Sequence, residues 1–470
     1  MGSVENDHRV PNVKNIAIIG GGPSGVATAK YLLAERVFEK IDIFEQRTSI
    51  GGVWNYTPET SGGHCEVPQT NPHAPVERPV WEKDGALRKP VFHSPMYERL
   101  ETNLPHQMMR FSDLAFPTGT QLFPPHRTVM EYLERHAEDV RHLIKFGTQV
   151  LDVRWTENGK WLVQSKDLYS DHIDDHVYDA VVVASGHFNV PYIPDIEGIR
   201  QWNKMLPGTI IHSKYYRVPE QFQNKKVVVV GNSASGSDIG AQIGKVCKAP
   251  LLVSQRSVSE HAVGAVSWKL DLPEIKRFIP EEKALEFVNG RVEHDIDFIL
   301  ICTGYFYSYP FLSSLEPPPV SDGVRTEHVF KHLFYDHNPT LAFVAVPQKI
   351  LPFPISEAQA AVIARVWAAR VRLPSARDMD SWEGELIKEH GSGKAFQVLT
   401  FPRDVNYVND LSAWAMRAEP QGFDKNPPVW GPKERWIRER IPAMKRAFAE
   451  RGEERSKILT MEELGFVYEE

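Results

Sequence analysis

Two glycine-rich turns hold the residues best suited to chemistry in this chain. In the first, Gly20, Gly22 and Gly25 satisfy G-x-G-x-x-G directly after the apolar run Ile16 to Ile19. The first glycine of such a turn permits the tight bend. The second lets the backbone approach a pyrophosphate, and the third lets helix and strand pack closely. The helix that follows offers free N–H groups and a positive dipole end to the phosphates. Glu45 lies 20 residues beyond Gly25, where a carboxylate accepts hydrogen bonds from a ribose diol. In the second turn Gly231, Ser233 and Gly236 repeat the plan, with serine replacing the middle glycine. Arg256 stands 20 residues beyond Gly236, the offset that Glu45 occupies in the first unit. A carboxylate there repels a 2′-phosphate, whereas an arginine pairs with it. The turns therefore predict two different dinucleotides: one with an unphosphorylated adenosine ribose on the first, and NADPH on the second. Two such sites in one chain point to electron transfer from a nicotinamide to a flavin.

Other chemistries lack their residues. Cys65, Cys247 and Cys302 lie far apart, with no CxxC pair and no metal-ligand spacing. That argues against a disulfide framework or dithiol centre and fits a reducing compartment. His64, Cys65 and His73 are near neighbours without a fourth ligand, and no metal is expected. No G-x-S-x-G elbow surrounds a serine. The 54 basic and 61 acidic residues leave a net charge of −7, without the basic footprint of a nucleic-acid binder. The longest apolar stretch, Ala358 to Val371, is broken by Gln359, Arg365 and Arg370, short of the ~18 residues a membrane span needs. The first 15 residues lack the apolar core of a signal peptide, so a cytoplasmic protein is expected. Arg and Glu scattered through 434 to 455 predict a solvated helix face rather than a membrane-surface one.

The elements that must position these residues follow a repeated pattern. Asn15 to Ile19 and Lys226 to Val230 read as strands, each followed by its turn and a helix, and Gly231 comes 211 residues after Gly20. Further strands end at Glu45 and near Arg256. The runs Ala180-VVVA and Phe298-ILIC read as buried strands of the same two sheets, closing in Ala184-Ser185-Gly186 and Cys302-Thr303-Gly304. Residues 57 to 95, rich in Pro, Gly and His, read as a long irregular loop, and 314 to 324 as a surface connection. From about 355 the pattern turns helical. The fold class is α/β, with two Rossmann-like dinucleotide-binding domains and a helical C-terminal region. The NADPH domain (191–305) is inserted in a larger FAD domain (1–190 and 306–470).

Gly51-Gly52-Val53-Trp54 follows the ribose carboxylate, where paired glycines permit backbone approach and the tryptophan can wall a flavin. Gly208, His212 and Tyr216 fall at four-residue intervals before the second unit. In these features the chain resembles the flavin-containing monooxygenases of the two-dinucleotide type. Their motif F-x-G-x-x-x-H-x-x-x-Y-K/R is matched by Gly208, His212, Tyr216 and Arg217, with Leu206 in place of the leading Phe. Tyr216, where Baeyer–Villiger relatives carry Trp, puts the chain on the N- and S-oxygenating side. The resemblance spans nearly the whole chain and includes the Pro352 to Ala360 segment.

The resemblance implies that NADPH reduces FAD and that oxygen then forms a C4a-(hydro)peroxyflavin. That species oxygenates a sulfide or amine. It implies a catalytic Asn103, whose amide can hold nicotinamide and flavin without titrating. His212 and Tyr216 are expected to serve structure. The cofactor-binding set so implied is Gly20, Gly22, Pro23, Ser24, Gly25, Glu45, Gly52, Val53, Trp54, Thr102, Asn103, Gly231, Ser233, Ala234, Ser235, Gly236, Arg256, Ser257, Thr303 and Gln359, the last near the flavin ring. Loops 57 to 95 and 305 to 325 are expected to line the pocket. Partners are molecular oxygen and a small nucleophile, without nucleic acid or an integral membrane segment, and a homodimer is compatible. A ketone oxygenase, a non-oxygenating reductase and a redox sensor are the competing readings.

Overall fold

The computed structural model describes residues 12–58, 65–84, 87–256 and 267–469. The chain opens with strand β1 (Asn15–Ile19), helix α1 (Pro23–Glu35) and strand β2 (Lys40–Glu45). Strands β3 (Ile144–Phe146) and β4 (Ala180–Val183) follow. β1 lies between β2 and β4, parallel to both, with Ile16 opposite Ile41 and Ala180. Alternation along β1 serves two layers, as the strand period of two requires. Ile16 and Ile18 join the core under α1, whereas Ala17 and Ile19 join the core with Val153, Trp161 and Val163. Those three residues belong to an antiparallel three-stranded sheet over Thr148–Trp155, Trp161–Asp167 and Ile173–Tyr178.

The chain then crosses into a second sheet. Its strands are β5 (Ile210–His212), β6 (Val227–Val230), β7 (Leu251–Ser254), β8 (Lys269–Leu272) and β9 (Phe298–Ile301), and helix α2 (Ala234–Ile243) follows β6. They run parallel in the order β5-β9-β6-β7-β8. The continuous valines of β6 match a strand buried on both faces. Val228 and Val230 pack with Trp202 and Phe278, and Val227 and Val229 pack with Ile239 and Ile243 of α2.

The first sheet resumes with β10 (Val329–Phe330), β11 (Phe334–Tyr335) and β12 (Leu341–Phe343). β12 runs parallel to β4, Leu341 opposite Val181, and completes the order β10-β11-β12-β4-β1-β2-β3. Both crossings meet where Val190–Pro191 pairs antiparallel with Tyr305–Phe306. Helices α3 (Pro352–Trp367), α4 (Ala376–His390), α5 (Arg403–Ala415) and α6 (Pro432–Glu450) finish the chain. Small residues set the contact of α1 with α3: Ala27 and Ala29 share a core with Ala358, Ala360, Ala361 and Ala364. Among the described residues no helix is long and apolar enough to cross a membrane.

One expectation needs correction. The stretch 57 to 95 is not irregular throughout, because Val80–Asp84 and Leu87–Val91 form an antiparallel hairpin. Helix α6 keeps a charged outer face and buries Ile437, Ile441, Met444 and Phe448 along the other. Four such side chains give on the order of 6–12 kcal/mol of docking as an upper bound, enough to hold the helix on the protein.

Candidate active site

Each glycine turn is built by backbone contacts that a Cβ would destroy. Gly20 has φ +112°, and a Cβ there would sit 2.5 Å from the Ala184 carbonyl oxygen. A Cβ on Gly25 would sit 2.0 Å from the Gly20 carbonyl oxygen. The second turn repeats this: Gly231 has φ +99° and faces the Cys302 carbonyl at 2.7 Å, and Gly236 faces the Gly231 carbonyl at 2.0 Å. Glycine is thus required at these positions to pack turn, helix and neighbouring strand together.

Gly22 and Gly52 face each other instead. A Cβ on Gly22 would lie 3.5 Å from the Gly52 Cα. Two bare backbone segments therefore form the floor of a groove in front of α1, whose first residue is Pro23. Glu45 closes that groove. Its Oε2 accepts from the Gly21 N–H at 2.7 Å and its Oε1 from the Arg47 N–H at 2.8 Å. Burial pushes its carboxyl above the ordinary carboxylate range, and Arg47 and the two N–H donors act against that rise. In the second turn Ser233 precedes α2 and makes no side-chain cap bond. This groove of free N–H groups and glycine backbone fits a dinucleotide pyrophosphate.

Both turns open onto one cavity of about 1730 Å³. Gly20, Gly22, Pro23, Ser24, Glu45, Gly52, Val53 and Trp54 line it from the first turn's side, and Ser233 and Ala234 from the second. Thr102 and Asn103 line it as well. Asn103 is exposed to the cavity, and its amide has no hydrogen-bond partner among the described residues. The segment that carries it is held from the C-terminal end of the chain. Lys445 Nζ donates to the Thr102 carbonyl at 2.6 Å, and Arg455 Nε to both Glu101 oxygens at 2.8 and 3.1 Å. Burial lowers the Lys445 ammonium's pKa, while Asp238 and Glu101 raise it.

Several residues expected at a cofactor lie elsewhere. Gly25, Gly231, Ser235 and Gly236 do not line the cavity; the three glycines act through the packing just described. Thr303 does not line it either, and its hydroxyl donates to the Tyr192 carbonyl. Gln359 is fully buried and stands behind the cavity wall, bonded to the lining residue Ala345. Its Oε1 accepts from the Ala345 N–H at 2.7 Å, and its Nε2 donates to the Tyr407 hydroxyl at 2.9 Å. It sits two turns into α3 on the face toward α5, whereas Pro352 and Phe353 at the helix start reach the cavity. Arg256 lies outside the lining, with its side chain 81% exposed and its Nε 2.6 Å from Glu274 Oε1. Ser257 and His64 fall outside the described residues.

The motif residues form a staple between the two sheets. Arg217 is 5% exposed and donates to the carbonyls of Thr57, Ser94, Met96, Lys214 and Tyr216 and to the Thr57 hydroxyl. Burial without a carboxylate partner pulls its pKa down to about 10. His212 Nε2 donates to the Gly304 carbonyl at 3.1 Å, and its Nδ1 accepts from the Lys214 N–H at 3.1 Å. Burial brings its pKa down to about 3, so the ring stays neutral with both nitrogens engaged. The Tyr216 hydroxyl bonds Gln242 Oε1 at 3.1 Å. Gly208 is exposed with φ +78°, the left-handed conformation that suits glycine in a turn. Leu206 packs with Trp202 in the second core.

Three contributors were missed in the sequence. Arg438, Glu439, Lys445 and Arg446 of α6 line the cavity; the 4-3-4 spacing of Ile437, Ile441, Met444 and Phe448 was the available signal that this helix docks. Asp238 of α2 lines it beside Tyr97, whose hydroxyl donates to it. Lys214, 2% exposed, bonds Glu77 at 3.1 Å and the Asn189 carbonyl at 2.8 Å. Parts of both expected loops reach the cavity, through Cys65 and Glu77 and through Ser308, Pro310 and Phe311. The three cysteines are free. Burial raises the Cys65 thiol to about 11 and Cys302 to about 12, which disfavours thiolate redox chemistry.

A family model described as flavin-binding monooxygenase-like matches residues 92–263 and 258–418, and an NAD(P)-binding Rossmann-like model matches 18–82. The chain is 34% identical to the Arabidopsis thaliana flavin-containing monooxygenase FMO GS-OX3, over 79% of this chain and 78% of that protein. It is 33% identical to FMO GS-OX1 of the same plant, over 88% and 89%. The structure of S-allyl-L-cysteine S-oxygenase from Allium sativum superposes with a TM-score of 0.75 at 28% identity, covering 96% of this chain and 97% of that one. Tmm from Pelagibacter shares the fold, with a TM-score of 0.72 at 23% identity over 92% and 91%.

Proposed function

This chain belongs to the flavin-binding monooxygenase-like family, and from that premise we propose that it uses NADPH and molecular oxygen to oxygenate the sulfur or nitrogen atom of a small molecule. It is a flavoprotein monooxygenase with FAD and NADPH as cofactors. We assign FAD to the first turn, in a domain of residues 1–190 and 306–470, and NADPH to the second turn, in the inserted 191–305. The observation that carries the reading is the single cavity that joins both turns with a free Asn103 amide facing it. The sulfur-directed activity named for the Allium sativum relative supports a thioether as the first substrate to try. Three free cysteines support a reducing, cytoplasmic setting.

The flavin, when bound, supplies the electron transfer and oxygen activation that no side chain here provides. Glu45 accepts from the adenosine ribose, and the Gly22–Gly52 floor admits the pyrophosphate. Ser233 and the N-terminus of α2 would receive the second pyrophosphate, and Arg256, outside the cavity lining, would leave Glu274 to pair with the 2′-phosphate. Asn103 offers a donor and an acceptor at neutral charge across the working pH range. Lys445 and Arg455 keep its segment in place. His212, neutral and doubly bonded, moves no proton.

The test is coupling. The holoenzyme is supplied with NADPH, oxygen and a thioether or tertiary amine, and NADPH loss is compared with oxygenated product and hydrogen peroxide. Near-stoichiometric product is expected. NADPH consumption yielding only hydrogen peroxide, or no consumption with any such substrate, would overturn the reading. Asn103→Ala should keep FAD but lower product per NADPH by about tenfold, the worth of one charge-free hydrogen bond or slightly more. Undiminished yield would remove Asn103 from the mechanism.

A further inference from the structure

A second cluster of ligating side chains lies away from the cavity, at the base of the β10–β11 hairpin. His328 and Asp336 face each other there, and the Asp336 N–H donates to the His328 carbonyl at 3.0 Å. His337 follows directly. One ligand atom from each of the three lies within 4.8 Å of the other two. His337 Nδ1 is 2.5 Å from Asp336 Oδ1, and His328 Nδ1 is 4.0 Å from Asp336 Oδ2. The two imidazoles stand nearly perpendicular, 5.4 Å between centroids.

Asp336 is 8% exposed, and no lysine or arginine pairs with it among the described residues. A buried carboxylate is costly unless it is paired, and its side-chain partners here are the two imidazoles. The neighbouring Glu383 is already engaged, by Arg325 and by the His328 N–H at 2.7 Å, which fixes the backbone of one ligand. His328 and His337 are 33% and 46% exposed, so an ion has entry from solvent. Two imidazole nitrogens and one carboxylate oxygen, completed by water, suit borderline divalent ions such as Zn²⁺, whereas Ca²⁺ and Mg²⁺ prefer oxygen alone.

We infer that His328, Asp336 and His337 form a binding site for a divalent transition-metal ion of the zinc class, which ties the two strands of this hairpin together. Small side-chain rotations seat the ion: His337 Nδ1 and Asp336 Oδ1 move apart from 2.5 Å to admit it, and His328 Nδ1 moves in from 4.0 Å. Sequence spacing concealed the site because its ligands flank the two strands of the hairpin, with His328 eight residues before Asp336. It is independent of the oxygenation chemistry.

The experiment titrates the FAD-loaded full chain, free of any affinity tag, with zinc chloride in a calorimeter. One ion per chain is expected. His337→Ala and His328→Asn should each weaken binding by about tenfold or more. Asparagine is chosen because His328 has φ +57°, which asparagine tolerates. Asp336→Asn should abolish tight binding, with flavin content reporting the fold. Because His337 is exposed, His337→Ala keeps the test decisive if the buried substitution disturbs the hairpin. No saturable binding, or binding that His337→Ala and His328→Asn leave unchanged, overturns the inference.

Discussion

Arg256 occupies the position that distinguishes one adenosine ribose from another, yet it is held by Glu274 at 2.6 Å. In the proposed function the 2′-phosphate displaces that carboxylate. Arg256→Ala should raise the KM for NADPH by about tenfold to a hundredfold and leave that for NADH nearly unchanged, because a charge-assisted bond is lost in one case alone. Glu274→Gln should shift the KM for NADPH the other way, by removing the competitor. Equal effects on both nucleotides in steady-state assays would count against the assignment. His212 gives a second residue-level prediction. Its folded pKa, about 3, lies below the unfolded value near 6.5. The unfolded state therefore binds the extra proton in that window, and stability contributed by this site falls as pH drops below about 6.5. At about pH 5 the cost is on the order of 2 kcal/mol relative to neutral pH. Urea unfolding of the wild type and His212→Gln at several pH values should show the variant with the shallower loss. The places of the glycines and Glu45 were legible in the sequence because fixed offsets in a strand-turn-helix dictate where they fall. Asn103 came from the resemblance alone, since a lone asparagine before Leu-Pro reads as a turn residue, and the partners of Gln359 were hidden because the helical face it occupies depends on how α5 packs against α3.

Helix α6 shows how an element far along the chain governs residues near its start. Its buried stripe docks it, and Lys445 then reaches the carbonyl next to Asn103 while Arg455 grips Glu101. Lys445→Met keeps the apolar stem and removes the donor. It should leave FAD binding intact and lower product per NADPH about threefold to tenfold, consistent with loss of one charged hydrogen bond to a positioning contact. A fall in kcat with coupling unchanged would show that Lys445 does not act through Asn103. Local sequence made the strands around both turns easy to place, since four consecutive valines read as a buried strand. The charges on α6 concealed its role. Arg438, Glu439, Lys445 and Arg446 face a cavity that looks like solvent in any composition-based reading. The Val80–Asp84 and Leu87–Val91 hairpin was missed for a related reason, as short pairings inside a proline-rich stretch carry little periodicity.

At the scale of the whole molecule, the two sheets are joined by the Val190–Pro191 and Tyr305–Phe306 pairing and by the Arg217 fork. Arg217 lies just before the second sheet's central strand and holds carbonyls of 57, 94 and 96 on the other side. Arg217→Lys retains the charge but loses the planar fork. It should slow reduction of the flavin by NADPH about tenfold or more, through misalignment of the two cofactors, while reduction by dithionite stays unchanged. Anaerobic stopped-flow absorbance reads both. The order of strands in the first sheet has a further consequence, for the chain as it is made. Val181 of β4 pairs with Leu341 of β12, a sequence separation of 160 residues. At ribosomal speeds of about 5–20 residues per second, β4, already paired with β1, waits on the order of ten seconds for β12 on its other edge. During that interval one edge of the nascent sheet stands open, a template for stray strands. The strands of the second sheet find all their partners between 210 and 301 and can close meanwhile. The part of the molecule at greatest hazard during translation is therefore the half that was begun first.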